Sequence, residues 1–465
     1  MEKVRKLFVI LFSSLSLFFA IAAIHNHYYE KKHLHSSKNF LAWNDNLPAS
    51  AKDANKLIFV AVNGTKIPVK IRKILDKHYS LSVLDTKENY ADFQVLDYFL
   101  KTHSHTKNNV ICAVFTPEIK PVYVMSKIDE RKLVKILPAL AKIYAQNQKQ
   151  LTNNVENLLH RHHKTNAIFA DFYLHNASEK FALLTAIAGR YDNSTPLAIL
   201  TENARIAFQK HKVAPTLHSR SLAQIHLQHL KNRFAYEKKQ LEKMLIARAI
   251  SDIAFATNLE NISELKSIAD TIANNSEVSK YPAENALALS ILSRAFSIYD
   301  NEKYLQKATE ISEILKSKIN TSTNSQNWTL PNSDIKTLEK QNLNAFDLAT
   351  IANALCDYAK ATNDKYSVIA AFYAIKKLDS HFISNGVWTL NSRNSLTANF
   401  ARIAILDDIH LPSYVGEAYQ AIAKIKTELG MQQVSRVENN IAKLGNTFMP
   451  LENLSRASIK LAKFF

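Results

Sequence analysis

The chain has 465 residues, 47% of them apolar, and a net charge of +18. That apolar share excludes wholesale disorder and supplies cores for two or three domains, and a composition with only 6 Gly and 11 Pro leans towards helix. The positive balance raises nucleic acid as a partner, but the lysines are interspersed with Asn, Glu and Ser and no nucleic-acid motif accompanies them, so a basic solvated surface and no nucleic-acid partner are expected.

The first element is a leader. Lys3, Arg5 and Lys6 precede an uncharged run from Leu7 to Ile24, about 18 residues, just enough to span a bilayer as a transmembrane helix. The basic flank holds the N-terminus inside and exports the rest. Ala20-Ile21-Ala22 offers a signal-peptidase site, but the run exceeds the usual h-region of ~7–15 residues, which favours an uncleaved anchor. The expected location is therefore a bacterial inner membrane with the soluble part in the periplasm or outside the cell, or secretion if the leader is cleaved. Residues 25–39 are polar and histidine-rich and read as a tether; their loose spacing and lack of acidic neighbours argue against a metal site.

Residues 40–150 alternate. "PASAKDAN" reads as helix, "KLIFVAV" as strand, "VKIRKILDKHY" as helix, "SLSVLD" as strand and "YADFQVLDYFLKTH" as helix. "NNVICAVF" and "KPVYVM" follow as a strand pair, and residues 129–151 as one closing helix. This order predicts a thioredoxin-like α/β domain, a layer of helices about one sheet. The loop after the first long strand, where α/β proteins often carry chemistry, is Asn63-Gly64-Thr65-Lys66-Ile67-Pro68, with no thiol, imidazole or carboxylate. The two cysteines, Cys112 and Cys356, fall in apolar runs far apart in sequence, so two buried thiols are expected and no structural disulfide.

From 151 to about 450 nothing reads as strand. Helix pairs recur around Asn/Asp turns: "AFSIYDNEKYLQKA" (295–308), "DYAKATNDKYSVIA" (357–370), and the looser 401–418 and 252–265. Tyr304, Tyr366 and Tyr414 hold matching places in three of them, and Asn or Asp suits such turns by capping the next helix. "ENALALSILSRAFSIY" is apolar nearly all round, as an inner helix must be. "KYLQKATEISEILKSKI" has one stripe, Tyr304, Ala308, Ile311 and Leu315, as an outer helix should. Inner and outer in alternation predict an all-α toroid or solenoid of hairpins. Residues 451–465 form a basic C-terminal tail.

The whole resembles the thioredoxin-domain family that includes spermatogenesis-associated protein 20. The resemblance rests on "LAWNDNLPASAKDANKLIFVAV", on Asp85, Glu88 and Asp92 in "LDTKENYAD", and on Thr116, Pro117, Lys120 and Pro121 in "AVFTPEIKP". Leu241-Glu242-Lys243-Met244-Leu245, Glu284-Asn285-Ala286-Leu287 and Asn394-Ser395 extend it, over most of 41–425. The resemblance implies a thioredoxin-like domain joined to an (α/α)6 toroid of the six-hairpin glycosidase type. The family's C-x-x-C is absent, Val110 stands where its proline does, and Ile246-Ala247 replaces a Tyr-Asp. Without paired thiols there is no dithiol exchange, so no oxidoreductase activity and no cofactor are expected.

Chemistry in the toroid requires carboxylates across a cleft. Glu242, Glu284 and Asp347 are the candidates at the mouths of inner helices, although helix starts favour carboxylates for purely structural reasons. Asn285 and Asn394 are the corresponding candidate ligand-binding residues. The run "HRHH" (160–163) reads as a solvated basic face because Arg161 disfavours a cation, and Ser219, Ser221 and His218 lack a nucleophile elbow. The expectation is an exported, membrane-tethered, redox-inactive protein with a binding or scaffolding role, carbohydrate or a peptide being the natural ligand for a concave toroid. The alternative is a glycosidase or epimerase-like enzyme, and a third reading is an assembly factor with a collapsed, apolar toroid centre.

Overall fold

A computed structural model describes residues 40–104, 106, 108–163, 197–213, 215–257, 263–319, 343–384, 387–403 and 411–429. The leader, the tether and the basic tail lie outside these. No helix among the described residues is long and apolar enough to cross a membrane. Two compact units result, the first holding the chain through His163 together with Asn399–Ala401, the second the remainder.

The first unit is built on β1 (Phe40–Ala42), α1 (Asn46–Asp53), β2 (Leu57–Val62), α2 (Val69–His78), β3 (Tyr79–Leu84) and α3 (Tyr90–Ser104). A strand pair, β4 (Cys112–Phe115) and β5 (Pro121–Met125), and the helices α4 (Glu130–Gln146) and α5 (Gln148–His163) complete it. Five strands lie in the order β1-β3-β2-β4-β5. β1, β3 and β2 are parallel, with Phe59 opposite Leu81, and β4 and β5 antiparallel, with Phe59 opposite Val114. Every residue of β2 is buried, as a central strand covered on both faces must be. One face packs Leu57, Phe59 and Ala61 against Ile71 and Leu75 of α2 and Leu133 and Leu137 of α4. On the other side Trp43 lies 5.7 Å from Phe115 and donates its indole N–H to Asp92 at 2.8 Å. Buried Phe400 stands edge-on to Phe99 at 5.7 Å.

Two features depart from the sequence pattern. Three-residue β1 is too short to stand out, yet pairs with β3 as an edge strand. The single helix expected over 129–151 breaks at Asn147, whose backbone leaves the helical region (φ −152°, ψ 65°).

The second unit consists of α6 (Leu197–Val213), α7 (Leu217–Tyr236), α8 (Gln240–Thr257), α9 (Ser263–Asn274), α10 (Pro282–Tyr299), α11 (Glu302–Ile319), α12 (Ala345–Thr362), α13 (Lys365–Phe382) and α14 (Tyr414–Leu429). Even-numbered helices pack in succession, α6 on α8, α8 on α10, α10 on α12 and α12 on α14. The odd-numbered ones pack outside, with α9 on α11 and α11 on α13. This is the inner and outer alternation expected of a toroid, with five inner helices among the described residues. The inner helices α10 and α12 are buried nearly all round: in α10 every residue from Ala283 to Ala295 is enclosed, and in α12 every residue from Ala345 to Ala359. In α11 the stripe of Tyr304, Ala308, Ile311 and Leu315 is buried.

The Asn/Asp turns work as capping chemistry requires. Asp300 (φ 47°) and Asn363 (φ 61°) close α10 and α12 in the left-handed region, and Asp364 caps α13 through the Tyr366 N–H. Two of the three repeated tyrosines are tethers: Tyr304 donates to Asp270 at 2.6 Å and Tyr414 to the Trp388 carbonyl at 2.6 Å. The expectation of no strand is corrected by a minimal hairpin, β6 (Ile383–Ser384) with β7 (Val387–Trp388). Asn385-Gly386 between them is a strong hairpin signal in the sequence, missed because the flanking strands have two residues each.

Candidate functional site

The loop after β2 is occupied by structure. Gly64 takes φ +82°, the Thr65 hydroxyl donates to the Ile111 carbonyl at 3.2 Å, and Asn63 accepts the Thr86 N–H at 3.2 Å. Asn63 and Thr65 are thus engaged by neighbouring backbone, and Lys66 is exposed. Cys112 lies in β4 and Cys356 in α12; both are free and buried, and burial pushes each thiol up to about 12. At neutral pH about one thiol in 10⁵ would be ionised.

The expected carboxylates stand at the starts of three inner helices, and each has a local task. Glu242 in the first turn of α8 pairs with Lys239 at 2.7 Å. Glu284 in α10 accepts the Ser279 hydroxyl at 2.6 Å, and Asn285 donates its amide to the Ser279 carbonyl at 2.7 Å, so these two share one turn. Asp347 closes a capping box with Asn344 at the start of α12. The Ala283 backbone N–H, at the start of α10 beside Glu284, favours the charged form of Asp347. Burial lifts its carboxyl to about 6 against these hydrogen bonds. Asn394 is exposed in the turn after β7, where its backbone N–H donates to the Ser392 hydroxyl at 3.3 Å. Ser219 sits within 3.0 Å of His211, but its hydroxyl is engaged by Thr216 in the capping box of α7. The side chains of 160–163 lie outside the described residues. No group of three or more His, Cys, Asp or Glu among the described residues is placed to hold a metal.

The densest chemistry lies deeper, where all five inner helices face one another. Arg205 of α6 pairs with Glu202 at 2.7 Å and with Asp252 of α8. Asp252 also meets Arg294 of α10, which donates to Asp357 of α12 at 2.8 Å. Lys424 of α14 engages Asp357 and donates to Asn353 of α12 at 2.6 Å. Asn353 donates to Glu417 and, at 3.2 Å, to Gln420 of α14. Glu417 accepts Arg248 of α8 at 2.9 Å, and Gln420 accepts Arg205 at 3.4 Å. The chain of contacts thus returns to α6. Four cations and four anions compensate one another.

The electrostatics follow from burial and proximity. Glu417 is fully enclosed and Arg248 is 3% exposed. Burial, helped by Arg205, pushes Arg248 down to about 10, and burial does the same to Arg294. For Asp357 burial works upwards, but Arg294, Lys424 and Arg248 overcome it and hold the carboxyl below the usual range. Burial lowers Lys424 to about 8, with Asp357 pulling the other way. At neutral pH Asp357 is held ionised, while Arg248, Arg294 and most of Lys424 keep their protons.

These residues carry a signal that patterning by hydrophobicity discards. Arg248 and Asp252, Ser290 and Arg294, Asn353 and Asp357, and Gln420 and Lys424 are polar pairs at i,i+4 inside helices otherwise apolar. Such pairs share one helical face, and here that face points to the ring centre.

No family model matches the chain, and no curated protein matches it. Among solved structures, a crystal structure of unsaturated glucuronyl hydrolase specific for heparin is similar at 10% identity and a TM-score of 0.39, over 58% of this chain and 81% of that one. A crystal structure of D-mannose isomerase is similar at 10% identity and a TM-score of 0.42, over 62% of this chain and 94% of that one. Neither likeness assigns a residue or a reaction to this chain.

Proposed function

We propose that the helical unit binds a polar, carbohydrate-like ligand within its ring, and that the sheet unit is a thioredoxin-like module without redox chemistry. The observation that carries the first part is the charged ring centre. An assembly factor needing only a stable ring would be served by an apolar plug, since buried ion pairs add little over hydrophobic packing. Strand order β1-β3-β2-β4-β5 with helices on both faces supports the thioredoxin-like reading and the family resemblance that goes with it. Two enclosed thiols at about 12 support the loss of exchange chemistry. Export and tethering belong to the proposal on the strength of the basic flank and apolar run at residues 3–24.

Sugar chemistry, of the glycosidase or epimerase kind, is the second reading, and Asp347 favours it. A carboxyl held near 6 is protonated often enough at neutral pH to serve as a general acid, and Glu284 starts the adjacent helix. The test is a glycan and peptide binding screen with turnover assays on the full chain, repeated with Asp347→Ala and Asn353→Ala. Ligand binding lost in Asn353→Ala supports the ring, and turnover lost in Asp347→Ala supports the enzyme. Equal binding in all three proteins would sink the proposal.

A further inference from the structure

We infer that the ring centre is a receptor for the oxyanion of a small ligand, a carboxylate or a phosphate, held by Arg248, Ser290 and Gln420. This rests on the reading that the ring interior takes a ligand, and it specifies the ligand's charge.

Arg248 donates Nη1 to Glu417, while its Nε and Nη2 have no acceptor among the described residues, although both atoms are buried. Those two N–H groups form one edge of the guanidinium, the edge that presents two parallel donors to a carboxylate or phosphate. The hydroxyl of Ser290, fully enclosed on α10, is likewise without a partner among the described residues, and so is Nε2 of Gln420 on α14. Arg248, Ser290 and Gln420 each stand four residues before a member of the ion network, Asp252, Arg294 and Lys424, and so occupy one level of the ring. The Asn353–Gln420 bond holds α12 and α14 at that same level.

All three unbonded groups can donate, and of them only the Ser290 hydroxyl could also accept. The acceptors at this level are already taken: Gln420 Oε1 by Asn353 and Arg205, Asn353 Oδ1 by Lys424, and Glu417 by Arg248 and Asn353. A neutral polyol brings as many donors as acceptors and would leave its hydroxyl protons unmatched here. An oxyanion brings acceptors alone. Leaving such donors enclosed and unbonded is costly, and an oxyanion at this level would regain those hydrogen bonds. One turn earlier on the same faces stand Ala286, Ala349 and Gly416, which present little bulk on the side of the helix starts, and the buried Met244 on α8.

The test is calorimetric titration of the full chain, at fixed ionic strength, with glucuronate, glucose 6-phosphate, inorganic phosphate and glucose. Gln420→Glu keeps the oxygen that accepts from Asn353 and Arg205 but removes the donor and adds a negative charge. Arg248→Lys keeps a cation beside Glu417 but loses the paired edge, and Ser290→Ala removes a hydroxyl without a partner among the described residues. The expected result is binding of at least one anion, weakened about tenfold or more by Gln420→Glu and by Arg248→Lys and several-fold by Ser290→Ala, with the helical circular dichroism unchanged in Ser290→Ala. Preference for glucuronate over the phosphates assigns a carboxylate, and the reverse a phosphate. Anion binding that all three variants retain would be a surface effect of the basic chain and would overturn the inference. Binding of glucose but of no anion would overturn it while leaving the carbohydrate proposal standing. Anion binding lost in the variants, with no neutral sugar bound, would uphold it and narrow the carbohydrate proposal.

Discussion

The Arg248–Glu417 pair gives the sharpest test of how the ring is held. It joins α8 to α14 across 169 residues of sequence, both side chains enclosed and 2.9 Å apart. With charge centres about 4 Å apart and an effective dielectric constant near 20, their attraction is on the order of 4 kcal/mol. Desolvation cancels much of this when the pair is compared with an apolar one, but removing a single partner leaves the other charge stranded, at about 3–5 kcal/mol. Arg248→Met and Glu417→Leu should therefore each cost about 3–5 kcal/mol, and the double substitution less than their sum by about 2–4 kcal/mol. The assay is urea unfolding followed at 222 nm, to which the helical unit contributes most, with tryptophan fluorescence in a Trp43→Phe background as a second probe because Trp388 is buried in that unit. Single losses below about 1 kcal/mol, or strict additivity, would mean that the pair is solvated and the ring is not closed through it.

Asp347→Asn should change stability in a pH-dependent way. The folded carboxyl lies at about 6 against an ordinary 3.8, so its ionisation destabilises the fold increasingly as pH rises from 3.8 to 6 and fully above that, by on the order of 3 kcal/mol. Because asparagine keeps an oxygen for the Asn344 N–H, the variant should be more stable than the parent at pH 7.5 and no more stable at pH 4; equal urea-midpoint shifts at the two pH values would exclude the effect. Cys112 and Cys356 should both resist an aromatic disulfide reagent at pH 8 in the folded chain and both react in urea, and prompt labelling of either would contradict its burial. Asn363→Val, at φ 61° after α12, should cost about 1–2 kcal/mol in the same unfolding assay while Asn363→Gly costs nothing.

The elements were legible where one face or every face of a segment is apolar. β2 and α10 are continuous apolar runs, and α11 has a single stripe; burial enforces those patterns, so they survive in the sequence. β1 and the β6–β7 hairpin were not legible, because strands of three and two residues carry no period. The candidate carboxylates were found by position, since Glu242, Glu284 and Asp347 do start inner helices. What position cannot reveal is pairing. Asp252 and Arg294 belong to one network because α8 and α10 lie side by side, and a pattern read along one helix contains no information about its neighbour.

That limit bears on what the ring is for. An inner helix that is apolar all round packs well without help, and each polar pair in such a helix must be desolvated on folding. Arg248 with Asp252, Asn353 with Asp357 and Gln420 with Lys424 recur on three helices at matching depth, so their cost falls in one place. Compensation within the network accounts for the charges. It leaves an edge of Arg248, an amide of Gln420 and the hydroxyl of Ser290 without acceptors among the described residues, all at the level just on the helix-start side of the ion pairs. A network selected for stability alone would gain by replacing Ser290 with alanine, which removes an enclosed hydroxyl and breaks no bond to the described residues. Ser290→Ala should therefore stabilise the helical unit by about 1 kcal/mol in urea, even as it weakens the proposed oxyanion site. A destabilised Ser290→Ala would show that the hydroxyl already has a partner in the fold, and the case for a donor-lined centre would fail with it.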